Sequence, residues 1–187
     1  MDKSSIFIIS GPSGAGEDSI IEGLRQYFPI ERVITTTTRE MRPGESQSKP
    51  YYFISKEKFI SQRNKNEFVE WAEEYNGNFY GVTGEEIERV KNLDCIGIWK
   101  IEWKGVTTAK KLYPEIPAIL VTVSDLKILE NRIRRRDGVP DEYIKERMKY
   151  TEEWMKHTDI YDYTVFNEEG KLNKAIAETA GIIEKYL

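Results

Sequence analysis

Short apolar runs alternate along the chain with longer segments in which apolar residues recur at helical spacing. Three of these runs, at 6–9, 98–101 and 119–123, are mostly apolar rather than alternating. A strand that is covered on both faces has this pattern, whereas a strand with one face in water alternates. Strands interleaved with helices therefore predict an α/β fold, a parallel sheet flanked by helices.

The pattern changes in two places, and both changes predict insertions into this core. Between residues 35 and 90, a proline, a glycine and two serines interrupt it, and shorter strands are expected at 51–54 and 68–71. A second, polar segment contains an arginine-rich helix. We expect one domain that comprises a core (1–34, 91–123 and 152–187), a mixed α/β lobe (35–90) and a helical lid (124–151).

Composition narrows the range of partners. The 187 residues include 28 Lys and Arg against 32 Asp and Glu, a formal net charge of -4, whereas nucleic acids and anionic membranes favour a basic face. No stretch approaches the roughly 20 apolar residues that span a bilayer, and the first residues lack the apolar run of a signal peptide. The single cysteine, Cys95, cannot form an internal disulfide. We expect a cytoplasmic monomer or homodimer that binds neither nucleic acid nor membrane.

The segment IISGPSGAGEDS at 8–19 has the glycine spacing of a phosphate-binding loop. A strand that ends in such a turn and opens a helix presents backbone N–H groups and a positive helix end to phosphate. The loop alone also allows a turn without a ligand, whereas a dinucleotide site is disfavoured because its third glycine is missing. The candidate phosphate-binding residues are Gly11, Ser13, Gly14, Ala15, Gly16, Glu17, Asp18 and Ser19.

Two positions of this loop carry unexpected charges. A phosphate-binding loop continues with a lysine that reaches the outer phosphates and a Ser or Thr that holds Mg²⁺. Here these positions hold Glu17 and Asp18. Asp18 and Ser19 are the candidate metal ligands.

A second polar region follows, TTTTREMRPGE at 35–45 with Tyr51 shortly after. Two arginines three residues apart, with hydroxyl groups and a tyrosine, make a donor-rich pocket suited to a phosphate monoester. Glu70 then lies in FVEWAE, and GNFYGVT follows at 77–83. Taken singly, these segments are weak signals, because polar loops often resemble the first one and Glu70 could be a solvated charge on an exposed strand face.

The chain resembles guanylate kinase nearly end to end. The segments that carry the resemblance are, in this order, GPSGAG, TTRxxRPGE, the tyrosine, FxEWAE and GNFYG. The resemblance implies a P-loop nucleoside monophosphate kinase that uses ATP and Mg²⁺ to phosphorylate GMP. It assigns the GMP phosphate to Thr35, Arg39, Arg42, Tyr51 and Tyr80, and the rest of the GMP site to Glu70, Thr83 and Glu102. It assigns phosphoryl transfer to Arg39 and to the lid residues Arg132, Arg136 and Arg147, and places Asn167 near the donor nucleotide.

One departure from that family concerns charge. The family has Asp-Ile-Asp where this chain has Lys100-Ile101-Glu102, so a lysine is lost at 17 and gained at 100. Because residue 100 ends a core strand, we expect it beside the loop and infer an exchange of charges. In one interpretation Lys100 replaces the loop lysine as a catalytic cation while Glu17 and Asp18 help to hold Mg²⁺.

Two other interpretations stay open. Glu17 and Lys100 form an internal ion pair and ATP binds weakly, or Glu17 is an isolated change, which the matching change at Lys100 disfavours. The favoured function is guanylate kinase. The alternatives are a catalytically impaired module of the same fold that binds nucleotide or protein, and a ribose bisphosphate kinase, which does not account for Glu70 or GNFYG.

Overall fold

The computed structural model describes residues 6–73, 77–135 and 140–187. The strands are β1 (Ile6–Ser10), β2 (Ile30–Arg32), β3 (Thr36–Thr37), β4 (Tyr52–Phe53), β5 (Phe68–Glu73), β6 (Phe79–Thr83), β7 (Ile96–Lys100), β8 (Ala118–Thr122) and β9 (Tyr163–Phe166). The α-helices are α1 (Glu17–Leu24), α2 (Lys56–Asn64), α3 (Gly84–Lys91), α4 (Trp103–Leu112), α5 (Leu126–Arg134), α6 (Asp141–Trp154) and α7 (Leu172–Glu184), and a 3₁₀ helix spans Met155–Ile160.

The core is a five-stranded parallel sheet in the order β2-β7-β1-β8-β9. Phe7 and Ile9 of β1 pack with α1 and α7, while Ile6 and Ile8 pack with α3 and α4 on the opposite face. Burial on both faces explains why this strand is apolar at every position. The predicted α/β class is confirmed, although β7 begins at Ile96 and ends one residue before the expected boundary.

A second, smaller sheet lies between β2 and α3 in the sequence, with the order β4-β3-β6-β5. Strands β3 and β4 are parallel and the other pairs antiparallel. Phe59 of α2 stacks on Phe68 and Phe79, with ring centroids 4.2 and 5.2 Å apart, and so anchors the helix to this sheet. The predicted short strands occur here, while the division of the chain into core, lobe and lid stays a prediction.

Three neighbouring strands of the core end at one edge of the sheet. Strand β2 ends at Arg32, β7 at Lys100 and β1 at Ser10, and the loop to α1 follows Ser10. Ligands of parallel α/β sheets bind outside the carboxyl ends of the strands. This edge therefore places Arg32 and Lys100 beside the glycine-rich loop. None of the helices in the described part of the chain is long and apolar enough to cross a membrane.

Glu86 connects the two sheets through a buried carboxylate. It accepts hydrogen bonds from the backbone N–H of Ile34 (2.8 Å), the hydroxyl of Tyr52 (3.1 Å) and the Arg89 guanidinium (2.8 and 2.9 Å). Ile34 lies between β2 and β3, and Tyr52 lies in β4. One carboxylate therefore fixes the segment through which the chain leaves the core.

Replacing Glu86 by Ala is expected to lower the free energy of unfolding by about 3 kcal/mol, because it leaves the buried N–H of Ile34 without its acceptor and removes one of the two carboxylates that pair with Arg89. Urea denaturation measures this loss. The matched control is Glu85→Ala, an exposed neighbour on the same helix, for which a change within about 0.5 kcal/mol is expected. Equal losses in both variants would show that the buried network contributes nothing.

Candidate active site

The glycine-rich loop between β1 and α1 has the backbone that its sequence predicts. Gly14 and Gly16 have φ angles of 88° and 94°, in the left-handed region that favours glycine. At Gly11, an added Cβ would lie 2.3 Å from the carbonyl oxygen of Val121. These glycines therefore allow the loop to turn tightly against β8 before α1 begins.

Asn167, predicted to lie near the donor nucleotide, and Arg132, predicted as a catalytic lid residue, both donate hydrogen bonds to backbone carbonyl groups of this loop or beside it. The Asn167 side chain donates to the carbonyl oxygen of Ala15 at 2.8 Å. The Arg132 guanidinium donates to the carbonyl oxygens of Gly14 (3.1 Å) and Asn167 (2.8 Å). A cavity of about 350 Å³ lies between these side chains, the loop and the first turn of α1. Arg132 and Asn167 thus line the donor side of the loop.

The Glu17 carboxylate folds back onto the loop. Its Oε2 atom accepts a hydrogen bond from the backbone N–H of Gly16 at 3.1 Å, one of the donors that a phosphate-binding loop offers to phosphate. Burial raises the pKa of Glu17, while the charge of Lys100 lowers it in part. Lys100 is therefore close to Glu17, as expected.

The direct partner of Lys100 is Asp18. The Lys100 ammonium lies 2.6 Å from Oδ2 of Asp18, and the Arg32 guanidinium lies 2.9 Å from Oδ1. Burial alone would raise the pKa of Asp18, but the hydrogen bonds and charges of Lys100 and Arg32 outweigh burial and lower it. The hypothesis of a direct Glu17–Lys100 ion pair is wrong, because the adjacent carboxylate of α1 takes the ammonium group.

Asp18 and Ser19 present oxygen ligands at the predicted metal position. Both side chains are exposed and line the cavity. In phosphate-transferring enzymes Mg²⁺ takes one or two protein oxygens, with waters and substrate phosphates completing its shell. Each Asp18 oxygen accepts one hydrogen bond and has a further lone pair, so the two residues fit a metal carried mainly by phosphates. The described residues hold no group of three or more His, Cys, Asp or Glu that could form a dedicated metal site.

A second cluster surrounds Arg39. Its guanidinium makes a two-point ion pair with Glu45, at 2.8 and 3.0 Å, and lies 5.4 Å from the ring centre of Tyr51. The rings of Tyr51 and Tyr80 are 5.9 Å apart. The structure thus brings Arg39, Tyr51 and Tyr80 together, and Glu45, whose role the sequence did not reveal, orients the arginine.

The remaining residues predicted for the phosphate monoester flank this cluster. The backbone N–H of Arg42 donates to Glu45 at 2.8 Å, and the Arg42 side chain is exposed. Thr35 precedes β3, and its carbonyl oxygen accepts the N–H of Tyr52 at 3.0 Å. Both residues lie on the segment that carries Arg39.

Glu70 and Glu102 form an acidic wall in the second sheet and α4. Burial, and secondarily the negative charge of Glu102, raise the pKa of Glu70 to about 7. Glu102 immediately precedes α4, and its Oε2 atom accepts a hydrogen bond from the Tyr150 hydroxyl at 2.6 Å. Thr83 ends β6, and its hydroxyl accepts the N–H of Glu86 at 3.3 Å. The two carboxylates offer acceptors to a ligand with adjacent N–H donors.

Lys100 acts on both the phosphate-binding loop and the cluster around Arg39. Its charge lowers the pKa of the Tyr51 phenol in part, although burial raises that pKa overall. The same ammonium group contacts Asp18 at the start of α1. Lys100 therefore contacts the helix that follows the phosphate-binding loop and acts electrostatically on one residue of the Arg39 cluster.

The predicted lid arginines are not all placed alike. Arg132 contacts the loop, as described above. Arg147 lies on α6, where its guanidinium is 5.0 Å from the ring centre of Tyr143. Arg136 lies outside the described residues, so its predicted role stays a prediction.

Known proteins are similar to this chain over almost its whole length. The family model described as guanylate kinase matches residues 3–186. A guanylate kinase of Hahella chejuensis is 35% identical over 170 residues, which are 90% of this chain and 81% of that protein. One of Buchnera aphidicola subsp. Schizaphis graminum is 36% identical over 186 residues, 98% and 88% of the two chains. A crystal structure of guanylate kinase from Anaplasma phagocytophilum has a TM-score of 0.69 at 25% identity and covers 96% of this chain and 84% of that one.

Proposed function

The chain belongs to the guanylate kinase family, and from this premise we propose that it transfers the γ-phosphoryl group of ATP to GMP, giving ADP and GDP. The observation that carries the proposal is the position of Lys100. Its ammonium group contacts Asp18 at the loop and acts electrostatically on Tyr51 in the Arg39 cluster. A cation between the donor and acceptor sites is what phosphoryl transfer requires.

Guanine is recognised in this proposal by the acidic wall. Its N1–H and exocyclic amine are adjacent donors, and the ionised carboxylate of Glu70 can accept from both. Glu102 and Thr83 add oxygen acceptors beside it. Adenine presents a ring nitrogen acceptor at the corresponding position, which would face the carboxylate without a proton between them. The wall therefore favours GMP over AMP.

The GMP phosphate binds in the Arg39 cluster, where Arg39 and Arg42 supply charge and Tyr51, Tyr80 and Thr35 supply hydroxyl groups. A planar guanidinium that is held in place loses little freedom when it binds a phosphate. The ion pair with Glu45 holds Arg39 in this way. The phosphate is thus oriented with an oxygen toward Lys100 and the loop.

The donor triphosphate binds along the loop N–H groups, with Lys100 replacing the lysine that the loop lacks. Asp18 and Ser19 would hold the Mg²⁺ ion that comes with the nucleotide, and this ion would supply positive charge to the phosphates. Asn167 and Arg132 line the cavity beside the loop, and we assign Asn167 to the nucleoside end of ATP. Arg132 and Arg147 are assigned to the charge of the transferred group, the role that the sequence also predicts for Arg136.

The reaction is a direct in-line displacement. An oxygen of the GMP phosphate forms a bond to the γ-phosphorus while the bond to the ADP oxygen breaks, and no covalent enzyme intermediate forms. The protein contributes position and electrostatic stabilisation rather than a nucleophile. The single cysteine supports a cytoplasmic location for this reaction.

A coupled assay of the purified protein with ATP, Mg²⁺ and GMP tests the proposal, with AMP, UMP and ribose 1,5-bisphosphate as competing acceptors. We expect GDP formation and a preference for GMP over AMP of at least about 100-fold in kcat/KM, because AMP leaves buried polar groups unpaired. GMP binding by calorimetry without any turnover would instead identify a catalytically impaired binding module. Turnover of ribose 1,5-bisphosphate alone would identify a sugar-phosphate kinase.

A further inference from the structure

The donor site contains an unusual balance of charges at the start of α1. Glu17 and Asp18 place two carboxylates where the triphosphate of a donor would lie, and Lys100 is the cation that faces them from β7. Two unit charges of the same sign repel strongly at these distances when solvent is partly excluded. Lys100 alone therefore leaves the loop with an excess of negative charge that opposes a polyanion.

Arg32 supplies the missing charge. It ends β2, the strand next to β7, and its Nη1 atom lies 2.9 Å from Oδ1 of Asp18 while Lys100 holds Oδ2. Its backbone is fixed, because its carbonyl oxygen accepts a hydrogen bond from Arg89 at 3.4 Å. The side chains of Arg32 and Lys100 are 40% and 38% exposed, so a ligand in solution can reach both.

We propose that Arg32 is a positioning residue of the donor-phosphate site that acts through Asp18. By taking one carboxylate oxygen, it keeps Asp18 from neutralising Lys100 fully and brings the four side chains close to zero net charge. The inference rests on the proposed function, since it concerns the same donor site. Stability does not account for the arrangement, because exposed ion pairs of this kind contribute little.

The first test measures the binding of metal-free tripolyphosphate by calorimetry at low salt, together with the KM values of Mg-ATP and GMP. Arg32→Gln is expected to raise the tripolyphosphate Kd and the KM of Mg-ATP about 10-fold or more, since a unit charge is removed from the site. The KM of GMP should stay within about twofold, because the acidic wall and the Arg39 cluster are untouched. Arg32→Lys keeps the charge and should stay within about threefold of the unmodified protein.

Arg25→Gln is the matched control. Arg25 also pairs with a carboxylate of α1, Glu22 at 3.1 Å, and is 44% exposed. It follows the last residue of α1, at the end of the helix away from the phosphate-binding loop, so tripolyphosphate binding should not change. Identical Kd values for Arg32→Gln and Arg25→Gln would overturn the inference.

A double variant distinguishes the effect of the Arg32 charge from the effect of its shape. If Arg32 offsets the charge of Asp18, then Arg32→Gln combined with Asp18→Asn should restore tripolyphosphate affinity to within about threefold of the unmodified protein. A double variant as weak as Arg32→Gln alone would show that the arginine only shapes the site, and the inference would be wrong.

The inference and the proposed function fail separately. A protein that makes no GDP but whose tripolyphosphate binding depends on Arg32 retains the inference and loses the kinase assignment. A protein that makes GDP but binds tripolyphosphate equally well without Arg32 retains the kinase assignment alone. Failure of the unmodified protein to bind tripolyphosphate overturns the inference whatever its turnover.

Discussion

Replacing Lys100 by Met is expected to lower kcat/KM for Mg-ATP by about 1,000-fold, the upper range for loss of one preorganised group that stabilises transition-state charge. The ammonium group lies 2.6 Å from Asp18 and acts electrostatically on Tyr51, and in the proposed function it meets the γ-phosphoryl group as it passes from donor to acceptor. Without it, Glu17 and Asp18 face the phosphates with Arg32 as their remaining cationic neighbour. Initial rates at varied ATP and fixed GMP measure the effect.

The control for this variant is Lys111→Met, an exposed lysine in the last turn of α4, which should leave the rate unchanged. A stricter test exchanges the charges of residues 17 and 100, so that the lysine again lies in the loop. Glu17→Lys combined with Lys100→Asp should keep or raise activity, whereas each single change should lower it. A Lys100→Met protein with normal rates would remove the basis of the donor site described here.

Replacing Glu70 by Gln is expected to lower kcat/KM for GMP by about 100-fold or more, because an amide cannot accept from both adjacent guanine donors through a single oxygen as a carboxylate does. The pKa of about 7 adds a pH dependence. Only the ionised form accepts both donors, so GMP binding should strengthen as pH rises from 6 to 8 in the unmodified protein. Calorimetric titration with GMP at several pH values measures this change, which Glu70→Gln should abolish.

The same substitution should raise stability. The folded-state pKa of Glu70 lies above its ordinary value of 4.5, so the folded protein holds this proton more tightly than the unfolded chain. The stability associated with the protonated form is lost as pH rises from about 4.5 through about 7. Above pH 7, Glu70→Gln should therefore melt at a higher temperature than the unmodified protein.

Glu73→Gln is the matched control for both effects. Glu73 lies on the same strand and is exposed, so neither GMP binding nor the melting temperature should change. A Glu70→Gln protein that melts lower and binds GMP normally would show that the carboxylate is a structural residue.

Much of this site could be predicted because it depends on local rules. The left-handed angles of Gly14 and Gly16 follow from their spacing after a buried strand, and parallel strands bring Lys100 to the edge beside the loop. Which carboxylate meets Lys100 could not be predicted. Glu17 and Asp18 are successive residues of a helix and point about 100° apart, so the choice depends on the rotation of α1 against the sheet.

Arg32 shows a second limit. It lies in a three-residue strand without a motif, and its partner Asp18 is brought near only by the crossover through α1. The one feature of the sequence that could have indicated Arg32 is electrostatic. Two carboxylates that face a single lysine leave a negative charge, which a second nearby cation would balance. Glu45 is similar, because its ion pair with Arg39 depends on how the intervening turn folds.

The Glu17 carboxylate already accepts a hydrogen bond from the Gly16 N–H. A phosphate that binds to this N–H must therefore displace the carboxylate. A tethered anion has a high effective concentration beside its donor, so a small ion from solution gains little by taking its place. A polyphosphate can succeed because it gains further contacts along the loop and with Lys100. We therefore expect the loop to bind polyphosphates more tightly than orthophosphate or chloride.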